Sequence, residues 1–79
     1  MELRLPELSS STAEAIITAW HVTENSRVMK DQDLVEVATD KATFDIQAPC
    51  DGILTKVIKK EGEKTRTGEA IARINEDGR

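Results

Sequence analysis

The sharpest alternation of apolar and polar positions runs through residues 41–48. Ala42, Phe44, Ile46 and Ala48 fall on one face of an extended chain, and Thr43, Asp45 and Gln47 on the other. That two-residue period predicts a half-buried strand. Apolar, largely β-branched segments at 15–22, 33–38, 53–59 and 70–75 predict four more strands, and residues 2–5 a short first one. Pro49 has no amide hydrogen to give a ladder and ends the 41–48 segment, and Gly52 marks the turn into the next. No window sustains a 3.6-residue apolar period: residues 26–33 are too polar, and 60–69 carry Gly62 and Gly68.

A repeat organises these segments. Shifted by 37 positions without a gap, residues 14–40 match residues 51–77, with Ile16, Thr18, Glu24 and Asp40 meeting identical residues at 53, 55, 61 and 77. Trp20 meets Val57, Leu34 meets Ile71, and Val37 meets Ile74. Asn25 and Asp31 align with Gly62 and Gly68. These are the residue types that best tolerate positive φ, so the two halves call for the same backbone at two turns. Leu34/Val37 and Ile71/Ile74, each spaced by three, break the alternation at equivalent places and predict a bend or a bulge there. Neither half is large enough to bury its own apolar face. The repeat therefore predicts two similar sheets about a pseudo-two-fold axis, packed as a sandwich or flattened barrel. The Asp40-Lys41 turn of one half corresponds to Asp77-Gly78 at the end of the other, which puts Lys41 and the chain ends at opposite ends of the domain.

Composition narrows the function classes. A chain of 79 residues makes one small domain, burying roughly 60% of its unfolded surface. Its 38% hydrophobic and 33% charged residues suit a folded, soluble chain. The formal net charge of −4 and the lack of a basic stripe argue against nucleic acid as a partner. No apolar run approaches the roughly 20 residues of a membrane-spanning helix, so no membrane is expected, and the first residues lack the apolar stretch of a secretory signal. Cys50 is the sole cysteine: it forms no internal disulfide, builds no thiolate metal site alone, and fits a reducing compartment. His21, the sole histidine, lies in a strand segment without an evident nucleophile partner. No catalytic residue and no metal site are expected.

That leaves the hairpin between segments 33–38 and 41–48. Hardly any residues separate the two, so Lys41 stands at an exposed tip, in a type I turn with Asp40 near its start. Lys41 is the only basic residue between Lys30 and Lys56, among Asp31, Asp33, Glu36, Asp40, Asp45 and Asp51. Acylating it would leave an acidic surface able to bias partner choice and encounter.

The segment Val37-Ala38-Thr39-Asp40-Lys41-Ala42-Thr43 resembles the lipoylation motif of the 2-oxo acid dehydrogenase complexes, centred on Asp-Lys-Ala. Other blocks match in order: Leu5-Pro6-Glu7-Leu8-Ser9, the stretch 12–20 ending in Trp20, the stretch 48–54, Glu61-Gly62, and Thr67-Gly68-Glu69. The resemblance covers nearly the whole chain. It implies an all-β flattened barrel of two four-stranded antiparallel sheets, a barrel-sandwich hybrid spanning 1–76, with 77–79 beginning a linker or tail. It implies lipoate joined by an amide to Lys41, with Asp40 and Ala42 setting the presentation of that lysine and Thr39 beside them among the recognition residues. The loop of Leu8, Ser9, Ser10, Ser11 and Thr12 would lie beside it and help partners recognise the domain.

The implied partners are a lipoate ligase or lipoyl transferase, a thiamin-diphosphate-dependent 2-oxo acid decarboxylase, an acyltransferase core and dihydrolipoyl dehydrogenase. The implied setting is the bacterial cytoplasm or the mitochondrial matrix. Two departures stand out: Ala38 where the family often has glutamate, and Glu24-Asn25-Ser26 where it often has Glu-Gly-Asp. A biotin carrier resembles this fold, but its lysine usually sits between methionines, and here Asp40 and Ala42 flank it. An unmodified interaction module is the remaining alternative. The oxo acid is not legible.

Overall fold

In a computed structural model describing residues 1–7 and 14–76, the chain forms eight strands. They are β1 (Glu2–Arg4), β2 (Glu14–Trp20), β3 (Ser26–Val28), β4 (Asp33–Ala38), β5 (Thr43–Gln47), β6 (Gly52–Val57), β7 (Lys64–Arg66) and β8 (Ala70–Glu76). They make two four-stranded sheets, ordered β1-β8-β6-β3 and β5-β4-β2-β7, with every neighbouring pair antiparallel. The flattened barrel of two antiparallel sheets is the architecture the sequence predicts. Among the described residues no helix is long and apolar enough to cross a membrane.

The 37-residue repeat is realised pair by pair. Ile17 lies opposite Val37 in one sheet and Leu54 opposite Ile74 in the other; Trp20 opposite Val35 matches Val57 opposite Ala72. Ile16 opposite Lys64 matches Ile53 opposite Arg27. Asn25 and Asp31 both have φ of 71°, and their equivalents Gly62 and Gly68 have 88° and 90°. Asparagine thus supplies at position 25 the backbone that glycine supplies at 62, so the departure from the family pattern at Glu24-Asn25-Ser26 keeps the backbone of that turn.

The broken alternation proves to be bulges, not smooth curvature. Register shifts fall between Ile17 and Ala19, and between Leu54 and Lys56, so Thr18 and Thr55 are each the extra residue. Their hydroxyls donate to the Glu36 and Arg73 carbonyls at 2.9 and 3.3 Å. A second equivalent pair of shifts occurs at Leu34 and Ile71, where an extra residue turns two consecutive side chains inward. Leu34 with Val35, and Ile71 with Ala72, are accordingly all buried. They join Ile17, Val28, Val37, Leu54 and Ile74 in one aliphatic core shared by both sheets.

Several boundaries differ from expectation. Residues 26–28 and 64–66 form strands where the sequence reads as polar connections. Each has three residues and buries one side chain, Val28 or Thr65, too little for a periodic signal. β5 begins at Thr43, so Ala42 is exposed in the turn and not on the buried face with Ile46 and Ala48. Gly52 is the first residue of β6, buried against β8.

Candidate functional site

Lys41 stands in the four-residue connection between β4 and β5. Ala38 and Thr43 are the last opposed pair of those strands, leaving Thr39, Asp40, Lys41 and Ala42 to reverse the chain. The Thr39 amide donates to the Ala42 carbonyl at 2.8 Å. The Thr39 hydroxyl oxygen accepts from the amides of Lys41 and Ala42, each at 3.2 Å, and donates to the Ala42 carbonyl at 3.1 Å. A threonine hydroxyl can do both, having one hydrogen and two lone pairs. The turn therefore starts at Thr39, with Asp40 and Lys41 at its two central positions. The local propensity of Ser, Thr, Asn and Asp to bond amides two and three residues on explains why this sequence closes without an Asn-Gly pair.

Asp40, Lys41 and Ala42 are exposed, and Thr39 is half-buried at the foot of the turn. The four residues assigned to the hairpin are thus brought together as expected, with Thr39 taking the organising role that sequence reading gave to Asp40. The signal was there: a hydroxyl residue precedes the central pair. Leu8, Ser9, Ser10, Ser11 and Thr12 lie outside the described residues, as do residues 77–79.

Strand direction settles where the turn sits. Glu14 of β2 lies opposite Arg66 of β7, and Ile16 lies opposite Ala38, so Arg66 is at the Lys41 end. The chain turns at Thr67-Gly68 and enters β8 at Ala70, again at that end. β8 then runs away from it to Glu76. Met1 is at the far end too, its amino group donating to the Ile74 carbonyl at 2.7 Å. Lys41 and both ends of the described chain are on opposite sides of the domain.

A set of residues that sequence reading passed over holds the two halves together. The Glu24 carboxylate accepts the Val57 amide at 2.8 Å, and the Glu61 carboxylate accepts the Trp20 amide at 3.3 Å. Glu24 and Glu61 are one of the four identical pairs of the repeat, so that identity was the available signal. His21 is exposed and lies 3.4 Å from the Asp45 carboxylate. Cys50 packs at the margin of the core, its sulfur 3.5 Å from that of Met1. Burial, then the neighbouring Glu76 carboxylate, pushes its thiol above the usual range.

The biotin/lipoyl family model, described as "Biotin-requiring enzyme", matches residues 1–74. The dihydrolipoyllysine-residue succinyltransferase component of the 2-oxoglutarate dehydrogenase complex from Rickettsia felis is 38% identical over 76 residues, 96% of this chain and 19% of its own length. The same component from Escherichia coli K12 is 33% identical over 96% of this chain and again 19% of its own. The chain thus spans about a fifth of the length of these relatives. The solution structure of the lipoyl domain of the Azotobacter vinelandii 2-oxoglutarate dehydrogenase complex superposes with a TM-score of 0.80 at 27% identity, covering 99% of both chains. With the family model matched over all but its last residues and a lipoyl domain superposed from end to end, this chain belongs to the biotin/lipoyl attachment family.

Proposed function

We propose that the chain is a lipoyl carrier domain with lipoate joined to the Nζ of Lys41, acting as the swinging arm of a 2-oxo acid dehydrogenase complex. The observation that carries this reading is the Lys41 turn. An exposed lysine in the Asp-Lys-Ala setting is held by a hydroxyl-braced hairpin at the end of the domain away from Met1 and Glu76, the ends of the described chain. A covalent group on Nζ fits there, since Asp40, Lys41 and Ala42 are all exposed. When bound, lipoate supplies a dithiolane that accepts an acyl group and two electrons.

The chain's own residues supply position. Thr39 fixes the two amides that set the path of the turn, and Ala42 keeps its far side small. Asp33, Glu36, Asp40 and Asp45 make the hairpin acidic, a field that steers encounter and selects partners more than it adds affinity. The domain carries and does not catalyse. Its partners are a lipoate ligase or lipoyl transferase, a thiamin-diphosphate-dependent decarboxylase, an acyltransferase core and dihydrolipoyl dehydrogenase. The relatives' names favour 2-oxoglutarate as the oxo acid. Tethering makes each transfer an event at high effective concentration.

The test is co-expression with lipoate, biotin and the ligases for both, followed by intact mass and peptide mapping. A lipoyl mass on Lys41 is expected. A biotin adduct, no adduct, or lipoate on another lysine overturns the reading. Lys41→Arg should keep the fold and lose the modification.

A further inference from the structure

We propose that His21, Glu36 and Asp45 form a binding site for a divalent transition-metal ion of the zinc type, on the outer face of the sheet that carries the Lys41 hairpin. The three come from the adjacent strands β2, β4 and β5 or their immediate ends, and their ligand atoms all lie within 4.8 Å of one another. Two oxygens and one imidazole nitrogen are a set that suits zinc, nickel or copper. Ligands at about 2.1 Å around a tetrahedral ion are about 3.4 Å apart, so a modest closing of these side chains completes the set and leaves a fourth position for water. Magnesium and calcium want more oxygens than this face offers.

The internal repeat supplies an independent comparison. Glu36 lies directly opposite Asp45, and like charges so placed destabilise a sheet. The equivalent pair in the other sheet is Arg73 opposite Glu2, an ion pair at 3.3 Å. The residue 37 positions after His21 is Ile58. The same cross-strand position is therefore self-neutralised in one half. In the other it carries two carboxylates with an imidazole 3.4 Å from one of them. The Thr18 hydroxyl, whose one hydrogen is shared between the Glu36 carbonyl and Glu36 Oε2, each at 2.9 Å, holds that side chain on the face. A cation bound between the carboxylates removes their opposition and clamps the three strands at the foot of the Lys41 hairpin.

The experiment uses the tag-free chain with Lys41 unmodified, because a lipoyl dithiol would itself take zinc. Chelator-stripped protein is titrated with zinc and, separately, with magnesium, by calorimetry and by NMR of the amides and the imidazole. One equivalent of zinc is expected, with shifts centred on His21, Glu36 and Asp45 and none with magnesium. His21→Ala and Glu36→Gln should each weaken binding by roughly tenfold or more, at least the loss seen when even an outer partner of a metal site is removed. Glu36→Gln relieves the like-charge pair, so its folded spectrum separates lost ligation from lost structure. Unchanged affinity in both variants, non-saturable binding, or shifts centred on Cys50 and the Met1 amino group would each overturn the site.

Discussion

A Cβ on Gly52 would collide with the Asn75 carbonyl oxygen and reach within 3.1 Å of Glu76 Cα, both in the backbone of β8. Gly52→Ala is therefore expected to cost about 1–3 kcal/mol as overpacking, read from the denaturant midpoint; an unchanged midpoint would mean that β6 and β8 are not this close. Gly62 is a different case. Nothing lies within 4 Å of a Cβ there, and the constraint is its φ of +88°. Gly62→Ala should cost about 1 kcal/mol through backbone conformation alone, whereas Asn25→Gly, at the equivalent turn, should change little. These two glycines show what sequence alone could and could not reveal about single residues. Gly62 was legible because the repeat aligned it with Asn25. Gly52 has only the look of a turn residue in the sequence, because a close approach of two strands leaves no mark in either one's sequence. At Cys50, burial and then Glu76 raise the thiol pKa, so the thiolate fraction is low at neutral pH and alkylation by iodoacetamide should be slower than in a short peptide. A faster rate would place the thiol in open solvent.

Turns are the elements on which presentation of Lys41 depends. Thr39→Val removes the acceptor of two amides while keeping the β-branched shape. The expected cost is about 1 kcal/mol, with faster hydrogen exchange at Lys41 and Ala42 and little change in the core of β4. Protection equal to the parent's would remove Thr39 from its organising role. The turn between β7 and β8 carries a pH signature. The Glu69 carboxylate accepts the Arg66 amide at 2.9 Å, and chiefly for that reason its pKa lies below the ordinary range, with lesser help from Lys59 and Thr65. A depressed folded-state pKa adds stability above the unfolded value, and that stability disappears as pH falls through the folded value. Glu69→Gln should accordingly flatten the acid limb of the melting temperature against pH. An acid limb identical to the parent's would show that the carboxylate contributes nothing there. The long strands were legible from period and β-branching. The three-residue strands β3 and β7 were not, because they are defined by partners in the other half and not by their own pattern.

The whole molecule is tied together by exchange between its halves. Each sheet takes one of its two edge strands from the other half of the repeat: β3 completes the sheet of β6 and β8, and β7 that of β2 and β4. Glu24 and Glu61 then reach across in both directions. Unfolding should therefore be a single transition with calorimetric and van't Hoff enthalpies in agreement, and a fragment ending near residue 40 should stay unfolded, since its sheet edges and half its core would be missing. Two resolvable transitions would mean the halves are separable. The symmetry itself was legible at a shift of 37 residues, but the exchange was not, because a repeat does not say which copy completes which sheet. The same topology makes the domain a lever. Lys41 lies at the end of the domain where β8 begins, and Met1 and Glu76, the ends of the described chain, lie where it finishes, a separation of six residue steps of strand, or about 20 Å. Were the body held near Met1 or Glu76, a rocking motion of only about 30° there would carry the lysine through an arc of about 10 Å. The folded body would then be a rigid spoke, turning slow angular drift at its pivot into broad sideways coverage at its tip, before the modified side chain itself has bent at all.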